Sequence, residues 1–160
     1  MLPPVRIPTG ALKIVKEVAR HLLRRPVVGI AAAARTADGR WLLIRRGDSG
    51  QWALPGGTLE WGEELRPAIT REVFEETGAQ VLELGELLGV YSAPGRDPRF
   101  HAVTIVVGAL VSEPLSHDVN PVEITEVRLF RDDELPPATD TSHGMADMIA
   151  NARSKTLVWE

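Results

Sequence analysis

Cysteine is absent from this chain of 160 residues, which excludes a fold held together by disulfides and a zinc site built on thiolates. Histidine is scarce too: the four histidines show no metal-ligand spacing and accompany no serine nucleophile motif. We therefore expect neither a zinc enzyme nor a serine hydrolase.

Long uncharged apolar runs are also missing. Charged residues such as Lys13, Lys16 and Glu17 interrupt the first 26 residues, so no stretch there approaches the roughly 18 residues of a membrane span. An export signal needs an uninterrupted apolar stretch of about 7–15 residues, and none is visible. We expect a cytoplasmic protein without membrane contact.

Neither sign of charge dominates, since 18 Lys and Arg residues stand against 22 Asp and Glu residues for a formal net charge of -4. A net-acidic domain lacks the positive field that nucleic-acid binding normally uses, so we expect no nucleic-acid partner. The 44% of hydrophobic residues is ordinary for one globular domain.

Strand-like and helix-like patterns alternate along the chain and predict a mixed α/β domain. Asp38-Gly39 is typical of a hairpin turn, and Gly78 of a helix stop. The predicted elements are strands at 27–35, 41–45, 80–91, 102–111 and 122–130 and helices at 64–77 and 141–153.

The first 25 residues carry a separate helical pattern. Thr9 is a suitable N-cap, apolar residues recur at helical spacing from Leu12 to Leu23, and Pro26 ends the helix. Its cations lie mostly off the apolar stripe, so packing or a homodimer contact is favoured over a basic membrane anchor. We therefore divide the chain into a helical extension at 1–25 and one domain at 26–160.

The helix predicted at 64–77 is the most informative segment. At about 100° per residue, its apolar stripe consists of Leu65, Ala68, Ile69 and Val73. The carboxylates of Glu72, Glu75 and Glu76 fall on an arc that overlaps this stripe, at the negative end of the helix dipole, where each acid costs roughly 0.3–1 kcal/mol. A solvated acidic helix end would oppose the stripe. A divalent cation, which prefers oxygen ligands, is therefore the better explanation.

The run GTLEWGEELRPAITREVFEETGA, from Gly57 to Ala79, resembles the Nudix box of the Nudix hydrolases. The residues in register are Gly57, Glu63, Arg71, Glu72, Val73, Glu75, Glu76 and Gly78. A match with fixed gaps over 23 positions is a specific signal, and Ala79 departs only in size from the usual larger aliphatic residue. The preceding strands and the WALPGG segment at 52–57 extend the resemblance to about residues 27–135.

This resemblance implies a Nudix-type α/β/α sandwich with a mixed sheet and a loop–helix–loop motif. At the matching positions, Glu72, Glu75 and Glu76, with the carbonyl of Gly57, would ligate Mg²⁺ or Mn²⁺. Glu63 would assist the metal site through water, and Arg71 would orient a neighbouring carboxylate. Family members take their general base from the box or from a later acid, for which Glu123 and Glu126 are candidates, although both also fit the exposed rim of a strand.

The segment SAPGRDPRF at 92–100 bears on the substrate. Pro94 lies 16 residues after Gly78, a spacing that resembles the ADP-ribose pyrophosphatase branch of the family. Arg96 and Arg99 would clamp phosphate or ribose oxygens, or face solvent on a turn.

Two tryptophans flank the loop of the box. Trp52 and Trp61 would each stack on a purine, or close the core beneath the loop.

These observations predict a Mg²⁺- or Mn²⁺-dependent hydrolase of a small nucleoside diphosphate derivative. The expected substrate is ADP-ribose or a nucleoside diphosphate sugar, which would give a nucleoside monophosphate and a sugar phosphate. A nucleoside triphosphate pyrophosphohydrolase is the alternative enzyme. A non-catalytic regulator that binds ADP-ribose is the alternative of another class.

Overall fold

A computed structural model describes residues 13–14, 16–19, 25–115 and 119–160. Its elements are β1 (Val27–Arg35), β2 (Trp41–Arg46), β3 (Trp52–Ala53), β4 (Gly56–Thr58), α1 (Leu65–Thr77), β5 (Val81–Tyr91), β6 (Ala102–Val111), β7 (Ile124–Phe130), a 3-10 helix (Ala138–Asp140), α2 (Met145–Arg153) and β8 (Val158–Trp159). Of the predicted N-terminal helix, residues 13–14 and 16–19 are helical, and its other residues up to 24 lie outside the described residues. Within the described ranges, no helix is long and apolar enough to cross a membrane.

The strands form one mixed sheet in the order β3-β2-β1-β6-β5-β8, while β4 pairs with β1 and β7 pairs with β2. The central strands β1 and β6 run parallel, in register from Val27 with Ala102 to Arg35 with Leu110. The pairs β1–β2 and β5–β6 are antiparallel. The mixed α/β class that the sequence predicts is confirmed.

Strand β1 is buried on both faces because its side chains alternate between two cores. Ala31 and Ala33 share one core with Met148 and Ile149 of α2. The residues between them, such as Ala32, share the other core with α1. One helix on each face of the sheet gives the α/β/α sandwich that the family resemblance implies.

Helix α1 lies between the loop that follows β4 and the turn that precedes β5. It packs through Ala68, Ile69 and Val73, each at most 2% exposed. It ends at Gly78, whose φ of 69° lies in the left-handed region and whose N–H donates to the carbonyl of Phe74. Glycine adopts this conformation without a Cβ penalty, so the sequence stops the helix where the prediction places its end.

Candidate functional site

Two of the three glutamates on α1 are turned toward the sheet. The side chain of Glu72 is 14% exposed, whereas that of Glu75 is 57% exposed. Loss of hydration raises the pKa of Glu72, and raises the pKa of Glu76 to about 8, because burial penalises the ionised carboxylate. The expected overlap of acids with the apolar stripe is thus observed for Glu72 and Glu76, while Glu75 faces solvent.

The loop before α1 approaches these carboxylates through two glycines. The N–H of Gly56 donates to Oε2 of Glu76 at 2.7 Å. A Cβ on Gly57 would lie 2.4 Å from Oε1 of Glu72, and one on Gly56 would lie 2.1 Å from the carbonyl oxygen of Ile30. At Gly56 the close atoms are backbone, which leaves no room for a side chain, whereas at Gly57 a side chain would force the Glu72 carboxylate to move away from the loop.

Arg71 gathers three carboxylates around one guanidinium. It forms a two-pronged ion pair with Glu63, with Nε to Oε1 at 2.9 Å and Nη2 to Oε2 at 3.0 Å. Its Nη1 donates to Glu72 and to Glu75, each at 3.0 Å. The hydrogen bond from Arg71 lowers the pKa of Glu63. Arg71 is therefore hydrogen-bonded to three of the four glutamates of the motif.

The donor set fits a hard divalent cation. Glu72, Glu75 and Glu76 offer carboxylate oxygens, the ligands that Mg²⁺ prefers, and the Gly57 backbone lies against the Glu72 carboxylate. A bound cation would also favour the ionised form of Glu76, which burial disfavours. Among the described residues, no three acidic or histidine side chains are placed close enough together to hold a metal ion. In this arrangement Glu72 and Glu75 instead bond to Arg71.

A cleft of about 330 Å³ opens beside Gly56 and Gly57. It is lined by residues of β1 and β6 such as Gly29 and Thr104. Charged or aromatic residues also line it, namely Arg46, Asp97, Arg99 and Phe100. The glycines that contact the buried glutamates thus also line a pocket of mixed polar and apolar character, as is usual for small-molecule sites.

Two arginines of the cleft are joined by one carboxylate. Asp48 accepts two hydrogen bonds from Arg46, at 2.9 and 2.7 Å, and one from Nη1 of Arg99 at 3.0 Å. Arg99 also forms a two-pronged pair with Asp97, at 2.9 and 2.7 Å. The structure therefore places Arg99 in the cleft, and its binding of phosphate or ribose oxygens stays a prediction. The structure adds Arg46, which directly follows the strand predicted at 41–45 and is not among the candidate site residues predicted from the sequence.

Arg96 lies outside the residues that line this cleft. Its guanidinium pairs with Glu160, lies 3.5 Å from a carboxylate oxygen of Asp147, and sits 5.0 Å from the ring centroid of Tyr91. The structure thus engages Arg96 within the protein, and the two arginines of the 92–100 segment have different surroundings.

The two tryptophans also have different surroundings, one in the core and one in solvent. Trp52 is 5% exposed and packs edge-to-face on Phe130 with ring centroids 4.8 Å apart, so it belongs to the core. Trp61 is fully exposed. Among the described residues that line the cleft, the aromatic side chain is Phe100, which is 42% exposed and has the Arg99 guanidinium 5.2 Å from its ring centroid. Sequence reasoning missed Phe100 because a single phenylalanine in a turn carries no periodic signal.

The two candidates for a general base also differ. Glu126 lies on β7 opposite Arg45, and its Oε2 is 3.6 Å from Nη1 of that arginine. Glu123 precedes β7, is exposed, and contributes to raising the pKa of Glu76 by charge repulsion. Glu123 is therefore the one whose charge acts on the buried carboxylate of α1.

Known proteins share both the sequence pattern and the fold. The NUDIX domain family model matches residues 23–152. An ADP-ribose pyrophosphatase of Methanocaldococcus jannaschii is 49% identical over 72 residues, which make up 43% of this chain and 42% of the relative. The match thus spans less than half the length of that curated relative.

Two solved structures extend the likeness over most of the chain. A MutT NUDIX hydrolase from Burkholderia pseudomallei aligns with a TM-score of 0.67 at 32% identity, covering 80% of this chain and 98% of that one. The NUDIX domain of Shewanella oneidensis NrtR, in a cocrystal structure with ADP ribose, aligns with a TM-score of 0.70 at 20% identity, covering 90% and 97%. At that lower identity the likeness concerns the fold.

Proposed function

Because this chain belongs to the Nudix family, we propose that it hydrolyses the diphosphate linkage of ADP-ribose or of a related nucleoside diphosphate sugar. Water adds to one phosphorus while the bond from that phosphorus to the bridging oxygen breaks. ADP-ribose would give AMP and ribose phosphate. One relative is an ADP-ribose pyrophosphatase and one structural neighbour was crystallised with ADP ribose, which supports this substrate.

The observation that carries the proposal is the contact between the cleft and the buried acids. Gly56 and Gly57 line the cleft on one side and touch Glu76 and Glu72 on the other. A diphosphate in this cleft would therefore lie next to the carboxylates that suit a divalent cation.

Glu72, Glu75 and Glu76, with the carbonyl of Gly57, would hold Mg²⁺ or Mn²⁺. The cation would supply charge neutralisation of the diphosphate and a more acidic bound water. Arg71 keeps the carboxylates of Glu63, Glu72 and Glu75 in place through its four hydrogen bonds. Glu63, held by two of these bonds, would act on the metal site through water.

The cleft side chains would bind the rest of the substrate. Arg46 and Arg99 present guanidinium groups, which pair well with phosphate oxygens, and Asp48 fixes both of them. Phe100 offers a ring face on which a purine can stack. Of the two later acids, Glu123 is the proposed general base, because it is exposed and Glu126 is paired with Arg45.

A substrate panel tests this proposal. The protein is stripped with EDTA, supplied with Mg²⁺ or Mn²⁺, and assayed on ADP-ribose, nucleoside diphosphate sugars and nucleoside triphosphates, with products identified by chromatography. We expect AMP and ribose phosphate from ADP-ribose, and no turnover with EDTA. Release of pyrophosphate from triphosphates alone would favour the alternative enzyme. ADP-ribose binding without hydrolysis of any substrate would favour the regulator.

We further propose that the chain forms a homodimer, as the N-terminal helical pattern predicts. Ile14 and Val18 are 65% and 52% exposed, so this helix presents apolar side chains to a partner. Light scattering should give twice the mass of 17.5 kDa, and a monomer would contradict the proposal.

A further inference from the structure

The cleft loop, defined here as residues 92–100, is held at its beginning by a residue distant in the sequence. Oε2 of Glu160 accepts hydrogen bonds from the backbone N–H groups of Ser92 and Ala93 and from Nε of Arg96, each at 3.0 Å. Oε1 of Glu160 accepts a further bond from Nη2 of Arg96. The hydroxyl of Ser92 donates to the backbone carbonyl of Glu160 at 3.0 Å.

Strand β8 brings Glu160 to this position. β8 pairs in parallel with the end of β5, where Gly89 lies opposite Val158 and Val90 opposite Trp159. The N–H of Glu160 then donates to the carbonyl of Val90 at 3.1 Å. Since β5 ends at Tyr91, the cleft loop begins directly where Glu160 is fixed.

The carboxylate of Glu160 is suited to this contact. Its side chain is 25% exposed, and the hydrogen bonds from Arg96 lower its pKa to about 2. Glu160 is therefore ionised at neutral pH, and its contacts with the loop are charge-assisted hydrogen bonds, which are stronger than neutral ones.

The other end of the loop is closed by His101. A ring nitrogen of His101 hydrogen-bonds to the carbonyl oxygen of Ser92 at 2.9 Å, and its own carbonyl accepts from the N–H of Val27 at 2.9 Å. Between these two anchors lie Arg99 and Phe100, which line the cleft. The proposed binding side chains thus lie on a short loop that is anchored at both ends.

We propose that Glu160 is a positioning residue for substrate binding, which acts by fixing the start of the cleft loop and thereby the places of Arg99 and Phe100. This inference rests on the proposed function. It also explains why Arg96 bonds within the protein: Arg96 couples the loop to Glu160, and Arg99 is left to face the cleft.

Two variants of Glu160 test the inference. Glu160→Ala removes every side-chain contact of Glu160 with the loop. If the displaced Arg99 then loses one charge-assisted hydrogen bond to the substrate, KM for ADP-ribose should rise roughly tenfold. The value of kcat should change by less than about twofold, because the acids of α1 are untouched. Glu160→Gln retains an oxygen that can accept from Ser92 and Ala93 and should raise KM less. Amide hydrogen exchange at Ser92 and Ala93 should be faster in Glu160→Ala than in Glu160→Gln, and faster in both than in the wild type.

Glu134→Gln is the matched control. Glu134 also accepts a hydrogen bond from a backbone N–H, that of Arg131, at 3.1 Å. It follows β7, whose last residue Phe130 pairs with Trp41, the first residue of β2. The cleft residue Arg46 is at the other end of β2. The KM of Glu134→Gln should equal that of the wild type. Equal KM values for Glu160→Ala and Glu134→Gln, or unchanged exchange at Ser92 and Ala93, would overturn the inference.

Failure of the proposed function can be distinguished from failure of the inference about Glu160. A wild-type protein that does not hydrolyse ADP-ribose contradicts that function directly. The comparison of variants is then made on the Kd of ADP-ribose by calorimetry without metal. A weaker Kd for Glu160→Ala than for Glu134→Gln would support the positioning role, and equal or absent binding would overturn it.

Discussion

The N–H of Gly56 and the carboxylate of Glu76 are joined by a 2.7 Å hydrogen bond that ties the cleft to the last turn of α1. This bond lowers the pKa of Glu76, but the loss of hydration on burial outweighs it and raises that pKa to about 8. The loop therefore orients the carboxylate without making its ionisation favourable. A bound divalent cation would complete the stabilisation.

Glu75→Gln and Glu76→Gln should each lower kcat for ADP-ribose by roughly 10²–10³, the loss typical of removing a group that stabilises transition-state charge. Amides are weaker cation ligands than carboxylates, so the affinity for Mg²⁺ should fall too. Steady-state kinetics with a Mg²⁺ titration measures both. Glu64→Gln is the control, since Glu64 precedes α1, is exposed and makes no capping hydrogen bond through its side chain. Wild-type turnover in both variants would refute the metal assignment.

The stability of the metal-free protein should fall as the pH rises from about 5 to 8. Glu76 has a raised pKa in the folded state, so between its ordinary pKa of 4.5 and about 8 the folded protein holds a proton that the unfolded chain has released. Stability falls with pH wherever the folded state binds more protons. Below pH 4.5 both states are protonated, and the difference vanishes.

Thermal unfolding in EDTA at pH 5 and pH 8 measures this effect. The wild type should lose more Tm between these values than Glu76→Gln, which cannot titrate at this position. Saturating Mg²⁺ should reduce the wild-type loss, because a cation bound at the site favours the ionised carboxylate. Equal pH dependence in the two proteins would contradict the account of Glu76.

Gly57→Ala should lower kcat while leaving the fold intact. Its Cβ would lie 2.4 Å from Oε1 of Glu72, so that carboxylate must move away from the loop. We expect a loss of roughly 10–100-fold, as for changes that misplace a metal ligand. Gly108→Ala is the control, since the nearest atom would lie 3.6 Å away at an ordinary contact distance. Circular dichroism checks the fold of both. Equal activity in the two variants would contradict the close approach.

Much of the fold could be predicted from local pattern. The unbroken apolar run of β1 reflects burial on both faces of the sheet. The position of Gly78 reflects the left-handed conformation that ends the helix. β3, β4 and β8 have two or three residues each, too few for a period to appear. Their conformation depends on pairing with distant strands.

The site divides in the same way. Glu72 and Glu76 could be predicted because a helix fixes the direction of its side chains, and the acids fell on the wrong face for a solvated helix. Arg96 and Arg99 lie on a loop, where spacing gives no direction. Their separation is decided by Glu160 and Asp48, partners 64 and 51 residues away in the sequence.

Phe100→Ala should weaken the binding of ADP-ribose, because Phe100 supplies a ring face to the cleft. Stacking of a base on an aromatic ring is worth roughly 1–3 kcal/mol, so KM should rise about tenfold while kcat stays within about twofold. Ribose phosphate, which has no base, should inhibit the variant and the wild type equally. Trp61→Ala is the comparison, since Trp61 is fully exposed and should leave KM unchanged. A rise in KM for Trp61→Ala with none for Phe100→Ala would instead assign base stacking to Trp61.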